Sequence, residues 1–180
     1  MTTEAMAPPS TKSQVLRSFD VAEFPALNGL EEEWRFTPLK RLGSLVTAGE
    51  LTGDAPAVTF ESLPVGVAVK DVSAADVQPV LTPFDRISAL AFGAARSVTL
   101  IEVAPETEPD EPVVLRVTGG GSEAAAARTV VKVGAFSKLT LILEQVGAAT
   151  LADNIEVVIG DGSQLTFVTL TEWDAASVQA

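Results

Sequence analysis

The residues of this chain best suited to chemistry are carboxylates. Asp153, Glu156 and Asp161 lie close together near its C-terminal end. Converging carboxylates can carry acid–base catalysis or hold a hard cation such as calcium. Asp153-Asn154 and Asp161-Gly162 are equally good turn sequences, and no spaced Asp-x-Asp-x-Asp-Gly run accompanies them. Gly119-Gly120-Gly121-Ser122-Glu123 has the glycine content of a phosphate loop. A Walker loop needs Gly-Lys-Ser/Thr at the start of a helix, and no lysine stands here, so the run reads as a flexible break. Trp34 and Phe36 offer an aromatic platform, or two anchors in neighbouring cores. The acidic, proline-spaced loop from Glu106 to Glu111 suits a basic partner or a solvated surface.

Other chemistries are closed to these residues. The 180-residue sequence has no Cys, no His and no Tyr. It therefore has no thiolate nucleophile, disulfide or cysteine metal site, and no imidazole base. A Ser–His–Asp triad is impossible within it. The net charge of -12 opposes nucleic-acid binding, which needs a basic surface. A hydrophobic fraction of 47% with 20% charged residues is the composition of a packed chain, not a disordered one. The N-terminus lacks the basic and apolar regions of a signal peptide, no apolar run is long enough to span a bilayer, and the chain reads as cytosolic.

The elements that must position these residues follow from pattern. Residues 1–12 read as a disordered N-terminus. From Ser13 to Phe19, the pattern Val15, Leu16 and Phe19 fits a short amphipathic helix, ended by Phe24-Pro25. Asn28-Gly29 makes a turn. Glu31-Glu32-Glu33 suits the first turn of a helix, where negative charge meets the dipole. Pro38 breaks that helix after Trp34, and a second short turn is expected near Leu39–Leu42. Val58–Phe60 and Val65–Val69 read as short strands, Asp85–Phe92 as a helix of about two turns, and Ser97–Val103 and Val113–Val117 as strands.

A repeat organises the remainder. Val133-Gly134-Ala135-Phe136-Ser137-Lys138-Leu139-Thr140-Leu141 returns as Ile159-Gly160-Asp161-Gly162-Ser163-Gln164-Leu165-Thr166-Phe167. Each unit is strand, turn, strand: Arg128–Val133 then Leu139–Leu143, and Asn154–Ile159 then Leu165–Thr171. The glycine after each first strand permits a backbone turn that other residues resist. A fixed period of roughly 20–50 residues marks a solenoid, and no helical crossover fits between the strands. The coils of a parallel β-helix are expected; an antiparallel meander also fits such short turns. Only two or three coils are present. The chain stops with Trp173 just placed and no capping pattern after it, so it reads as the front part of a longer protein.

Leu30-Glu31-Glu32-Glu33-Trp34-Arg35-Phe36-Thr37-Pro38-Leu39 resembles the N-terminal signature of the SufB/SufD family of iron–sulfur cluster assembly scaffolds. Its Thr37-Pro38-Leu39 ending is closer to the SufD branch. Ser18-Phe19-Asp20 leads into the signature. Asp85-Arg86-Ile87-Ser88-Ala89-Leu90 is similar to the helical motif before the family's strands. Arg128 to Trp173 resembles the opening coils of its β-helix, with Asn154 where the family often has asparagine. The resemblance covers most of residues 15–175.

It implies a non-enzymatic subunit of the SUF complex that pairs with SufB through the β-helix and binds the SufC ATPase through a C-terminal helical region. The family's ligand and sulfur-handling residues match no position here, so the chain is expected to contribute no catalytic, cofactor-binding or metal residue. The cluster would be assembled by the whole complex. The expected organisation is a disordered tail over 1–12, an N-terminal helical and mixed domain over 13–92, and the start of a β-helix core over 93–180. The fold class is mainly β with a small α-containing N-terminal region. An open C-terminal edge is expected to favour self-association. The competing functions are a carbohydrate-active β-helix enzyme using carboxylates, and an acidic binding module.

Overall fold

In the computed structural model of the chain, residues 15–31, 34–47 and 50–180 are described. The tail over 1–12 and the helix-start role of Glu32 and Glu33 lie outside the described residues. Among the described residues, nine strands run as β1 (Ala57–Thr59), β2 (Val67–Ser73), β3 (Ser97–Val103), β4 (Val113–Thr118), β5 (Gly121–Val133), β6 (Lys138–Gly147), β7 (Ala149–Ile159), β8 (Gln164–Trp173) and β9 (Val178–Gln179). They form two sheets, ordered β1-β4-β6-β8 and β2-β3-β5-β7-β9. From β3 onward every pairing is parallel: β3 with β5, β5 with β7, β7 with β9, β4 with β6, and β6 with β8. This is a β-solenoid of about three turns, and the meander is excluded. β1 and β2 pair antiparallel with β4 and β3, so they cover the first edge of each sheet. An uncovered edge would present free N–H and C=O groups.

Strand periodicity builds the core. Alternate residues of a strand face opposite sides. Ile101, Val103, Val131, Val133, Leu139, Leu141 and Leu143 point between the sheets and are almost fully buried. The repeat is the coil itself: Lys138 pairs with Gln164 and Leu141 with Phe167, while Thr129 lies over Thr99 and under Ile155.

The corner after β5 and β7 explains the repeated glycine differently from a turn requirement. Gly134 and Gly160 do not have positive φ. A Cβ on Gly134 would lie 2.5 Å from the Pro105 nitrogen, and one on Gly160 2.7 Å from that of Ala135. The coils stack too closely there for any side chain. Positive φ falls two residues later, at Phe136 and Gly162. The repeated serine links successive coils. Ser163 Oγ donates to the Gly134 carbonyl at 2.6 Å and accepts from the Ser137 N–H at 2.9 Å. Ser137 Oγ donates to Ala104 and accepts from the Thr107 N–H. Corner backbone groups that would otherwise lack partners are satisfied in this way.

The outer face of the five-stranded sheet is also covered. Helix α3 (Arg86–Ala94), capped by Asp85 on the Ser88 N–H, packs on β5 and β7. Ile87 and Ala91 meet Ala126 and Ala152, together with Leu42 of α1 (Leu39–Leu42) and Leu45 of α2 (Ser44–Thr47). The small alanines let the helix approach the sheet. Val98, Leu100 and Val130 are buried under Val77.

Several expectations are corrected. No helix forms over Val15–Phe19. A segment that short gains little from helix formation alone. Its Phe19 instead packs against Phe92, the rings tilted with centres 4.8 Å apart, and Asp20 caps a 3-10 turn at Val21–Glu23. Gly119–Gly121 is no loose break: β5 begins at Gly121, and a Cβ on Gly119 or Gly120 would meet the Ala148 or Asp54 carbonyl oxygen. The last strand is not Leu165–Thr171. β8 extends to Trp173, and the chain then turns so that β9 pairs with Thr150 and Leu151 of β7. Phe36 is no anchor, being 91% exposed, whereas Trp34 packs with the α1–α3 cluster.

Candidate functional site

The three carboxylates named from sequence are not brought together. Asp153 faces the solenoid interior, Glu156 faces outward under the α3 side, and Asp161 is exposed at the corner between β7 and β8. Strand alternation separates the first two: residues three apart on one strand point to opposite faces. Among the described residues no group of three or more Asp, Glu, His or Cys side chains could hold a metal ion. The acidic loop makes one exposed pair, Glu108 with Lys138 at 3.3 Å.

Glu156 belongs to a buried lock. Its Oε2 accepts from Arg128 Nε at 2.7 Å, and its Oε1 accepts from the N–H groups of Val80 and Leu81. Arg128 donates further to the carbonyls of Val77 and Gln78. Its guanidinium lies 4.4 Å from the centre of the Phe92 ring. These two side chains, at most 4% exposed, staple the 77–81 segment to the sheet. All the charge is consumed internally, which gives a positioning device and no reactive group. Asn154 is spent similarly: its amide donates to the Ser88 carbonyl and accepts from Ser88 Oγ.

Asp153 is different. Its Oδ2 accepts from Gln179 Nε2 of β9 at 3.3 Å, while its Oδ1 is shielded from solvent and has no hydrogen-bond partner among the described residues. Burial pushes its carboxyl up to about 6, against the opposing hydrogen bond from Gln179. Beside it lies a cavity of about 440 Å³ between the sheets, lined also by Ala127, Thr129, Thr99 and Gln145. Gln145 Oε1 accepts from Thr171 Oγ1 at 2.8 Å. Gln179 also receives Trp173 Nε1 at 3.0 Å, so β9 ties Asp153 to the end of β8.

Sequence reasoning missed Arg128, Gln145 and Gln179. Arg128 carried a signal, a charge directly after the four alanines Ala124–Ala127; the glutamines carried none.

β8 is the outermost strand of its sheet. Its outward Leu170 is 46% exposed, and no charged residue lies between Leu165 and Thr171. The geometry thus offers a buried lock, an interior polar cavity and a long open strand edge. No described helix is long and apolar enough to cross a membrane.

No protein-family profile matches the chain. It is 35% identical, over 90% of its own length, to an iron–sulfur cluster assembly SufBD family protein of Mycobacterium tuberculosis, and equally to one of Mycobacterium bovis. A protein of the same description from Mycobacterium leprae is 30% identical over 90% of the chain. The chain spans 41–42% of the length of these relatives.

Proposed function

We propose that the chain serves iron–sulfur cluster assembly as a non-enzymatic scaffold, forming the N-terminal part of a SufD-type subunit. The observation that carries this reading is the similarity along nearly the whole chain to proteins named for that process. The Trp34-Arg35-Phe36-Thr37-Pro38-Leu39 signature favours the SufD branch. A stacked solenoid suits a scaffold, because each coil presents the edge on which the next coil or a partner can build. In the working protein further coils extend from β8 and β9, and the subunit pairs with SufB and the SufC ATPase in the cytoplasm. Clusters are held mainly by thiolates. This sequence has none, so the nascent cluster is cargo held by other parts of the assembly.

The test is affinity purification of the tagged gene product from its own cells, with measurement of iron–sulfur enzyme activities after deletion of the gene. Co-purification of a second SufBD-type protein and an ATPase, with lowered activities on deletion, is the expected result. Unchanged activities and no such partners would overturn the reading.

A further inference from the structure

The interior cavity beside Asp153 arises from the sizes of the stacked side chains. Ala127 is the partner of Asp153 in the preceding coil, and Ser97 lines the same space. A carboxylate above small residues leaves room where the rest of the interior is filled by Val, Ile and Leu. The lining is rich in oxygen: Asp153, Thr129, Thr99, Ser97 and Gln145. The charged groups nearest from other elements are committed, peripheral or of the same sign, the last being the C-terminal Ala180, whose oxygen accepts from the Asp153 N–H at 2.9 Å. Arg128 of β5 pairs with Glu156, Lys70 of β2 pairs with Glu102 at 2.7 Å, and Asp71 of β2 is exposed at the rim. Asp153 therefore lines the cavity without a counter-charge, while its Oδ1 is shielded from solvent and has no hydrogen-bond partner among the described residues. A buried anion in that state is costly unless paired.

We propose that this cavity is a binding site for a small hard monovalent cation, held by the Asp153 carboxylate and the threonine-lined wall with part of its water shell. Oxygen donors select hard ions over iron or zinc. One buried carboxylate balances one charge, whereas tight divalent sites gather several. The volume accommodates an ion with several waters. The raised proton affinity of Asp153 agrees with an anion that lacks its partner. The site is independent of the scaffold reading, and its test does not pass through cluster assembly.

The experiment uses the 180-residue chain at pH 8 and constant ionic strength in potassium, sodium or tetramethylammonium chloride, with a magnesium chloride arm. The melting temperature should rise saturably with potassium or sodium relative to tetramethylammonium, and the protein should broaden the sodium-23 resonance. Both effects should vanish in Asp153→Asn and, for the wild type, below about pH 5, where the carboxyl is protonated. Thr129→Val, which keeps the charge and nearly the shape, should weaken the response and guards against misfolding of the first variant. Equal melting temperatures in all three monovalent salts, a response that survives in Asp153→Asn, or a response to magnesium alone would overturn the proposal.

Discussion

Replacing Asp153 by asparagine should stabilise the fold at alkaline pH and leave it nearly unchanged in acid. Asn keeps the shape and the oxygen that accepts from Gln179 Nε2, but it removes the charge. The carboxyl stands at about 6 in the fold against 3.8 ordinarily, a difference worth about 3 kcal/mol. The sign follows from the direction. Below pH 3.8 both states hold the proton and nothing is lost. As pH rises from 3.8 to 6 the unfolded chain releases its proton first, so wild-type stability falls; above 6 the loss is complete. The variant escapes that loss. With a urea slope of roughly 2 kcal/mol per molar, its midpoint should exceed the wild type's by about 1.5 M at pH 8 and by almost nothing at pH 4. Urea melts followed by tryptophan fluorescence, in buffers whose only cation is tetramethylammonium, read this out. Equal midpoints at pH 8, or the same gain at both pH values, would refute the assignment of Asp153 as an unpaired buried acid.

Arg128→Met should destabilise the fold by about 3–5 kcal/mol, because it strands the Glu156 charge. The double variant Arg128→Met with Glu156→Leu should recover much of that in denaturant melts, and an equally unstable double variant would argue against charge burial as the cause. Gly160→Ala should cost about 1–3 kcal/mol through overpacking against the Ala135 backbone, whereas Gly93→Ala, where a Cβ meets nothing, should be neutral or stabilising; parallel thermal melts compare them. The isolated chain should self-associate along β8, and Val168→Lys should reduce this. Analytical ultracentrifugation decides, and a strictly monomeric wild type with a protected β8 in hydrogen exchange would count against edge pairing.

The coil was legible in the sequence because stacking imposes the same demands at the same place in each turn. Gly134 and Gly160, Ser137 and Ser163, and Leu139 and Leu165 recur for that reason. The helix at Arg86–Ala94 and the strand at Ser97–Val103 were legible from local apolar spacing, and the short turn at Leu39–Leu42 from the break at Pro38. The front of β5 was not, because Ala124–Ala127 carries no alternation of apolar and polar residues. Their smallness serves neighbours distant in sequence: Ala126 makes room for α3, and Ala127 leaves the cavity beside Asp153.

The sequence by itself determined that Asp153 and Glu156 lie on opposite faces once both sit on one strand, since the strand period is two. Only the tertiary structure decided what each face meets. Stacking of β5 on β7 set Arg128 beside Glu156, and the outer face became buried because the 77–81 segment and α3 fold back over it, giving Glu156 the N–H groups of Val80 and Leu81. The inner face left Asp153 beside a cavity, because the side chains around it, drawn from several coils, are small. Charge pairing and cavity volume are set by residues that meet only after the coils have stacked, so no local pattern in the chain could carry them.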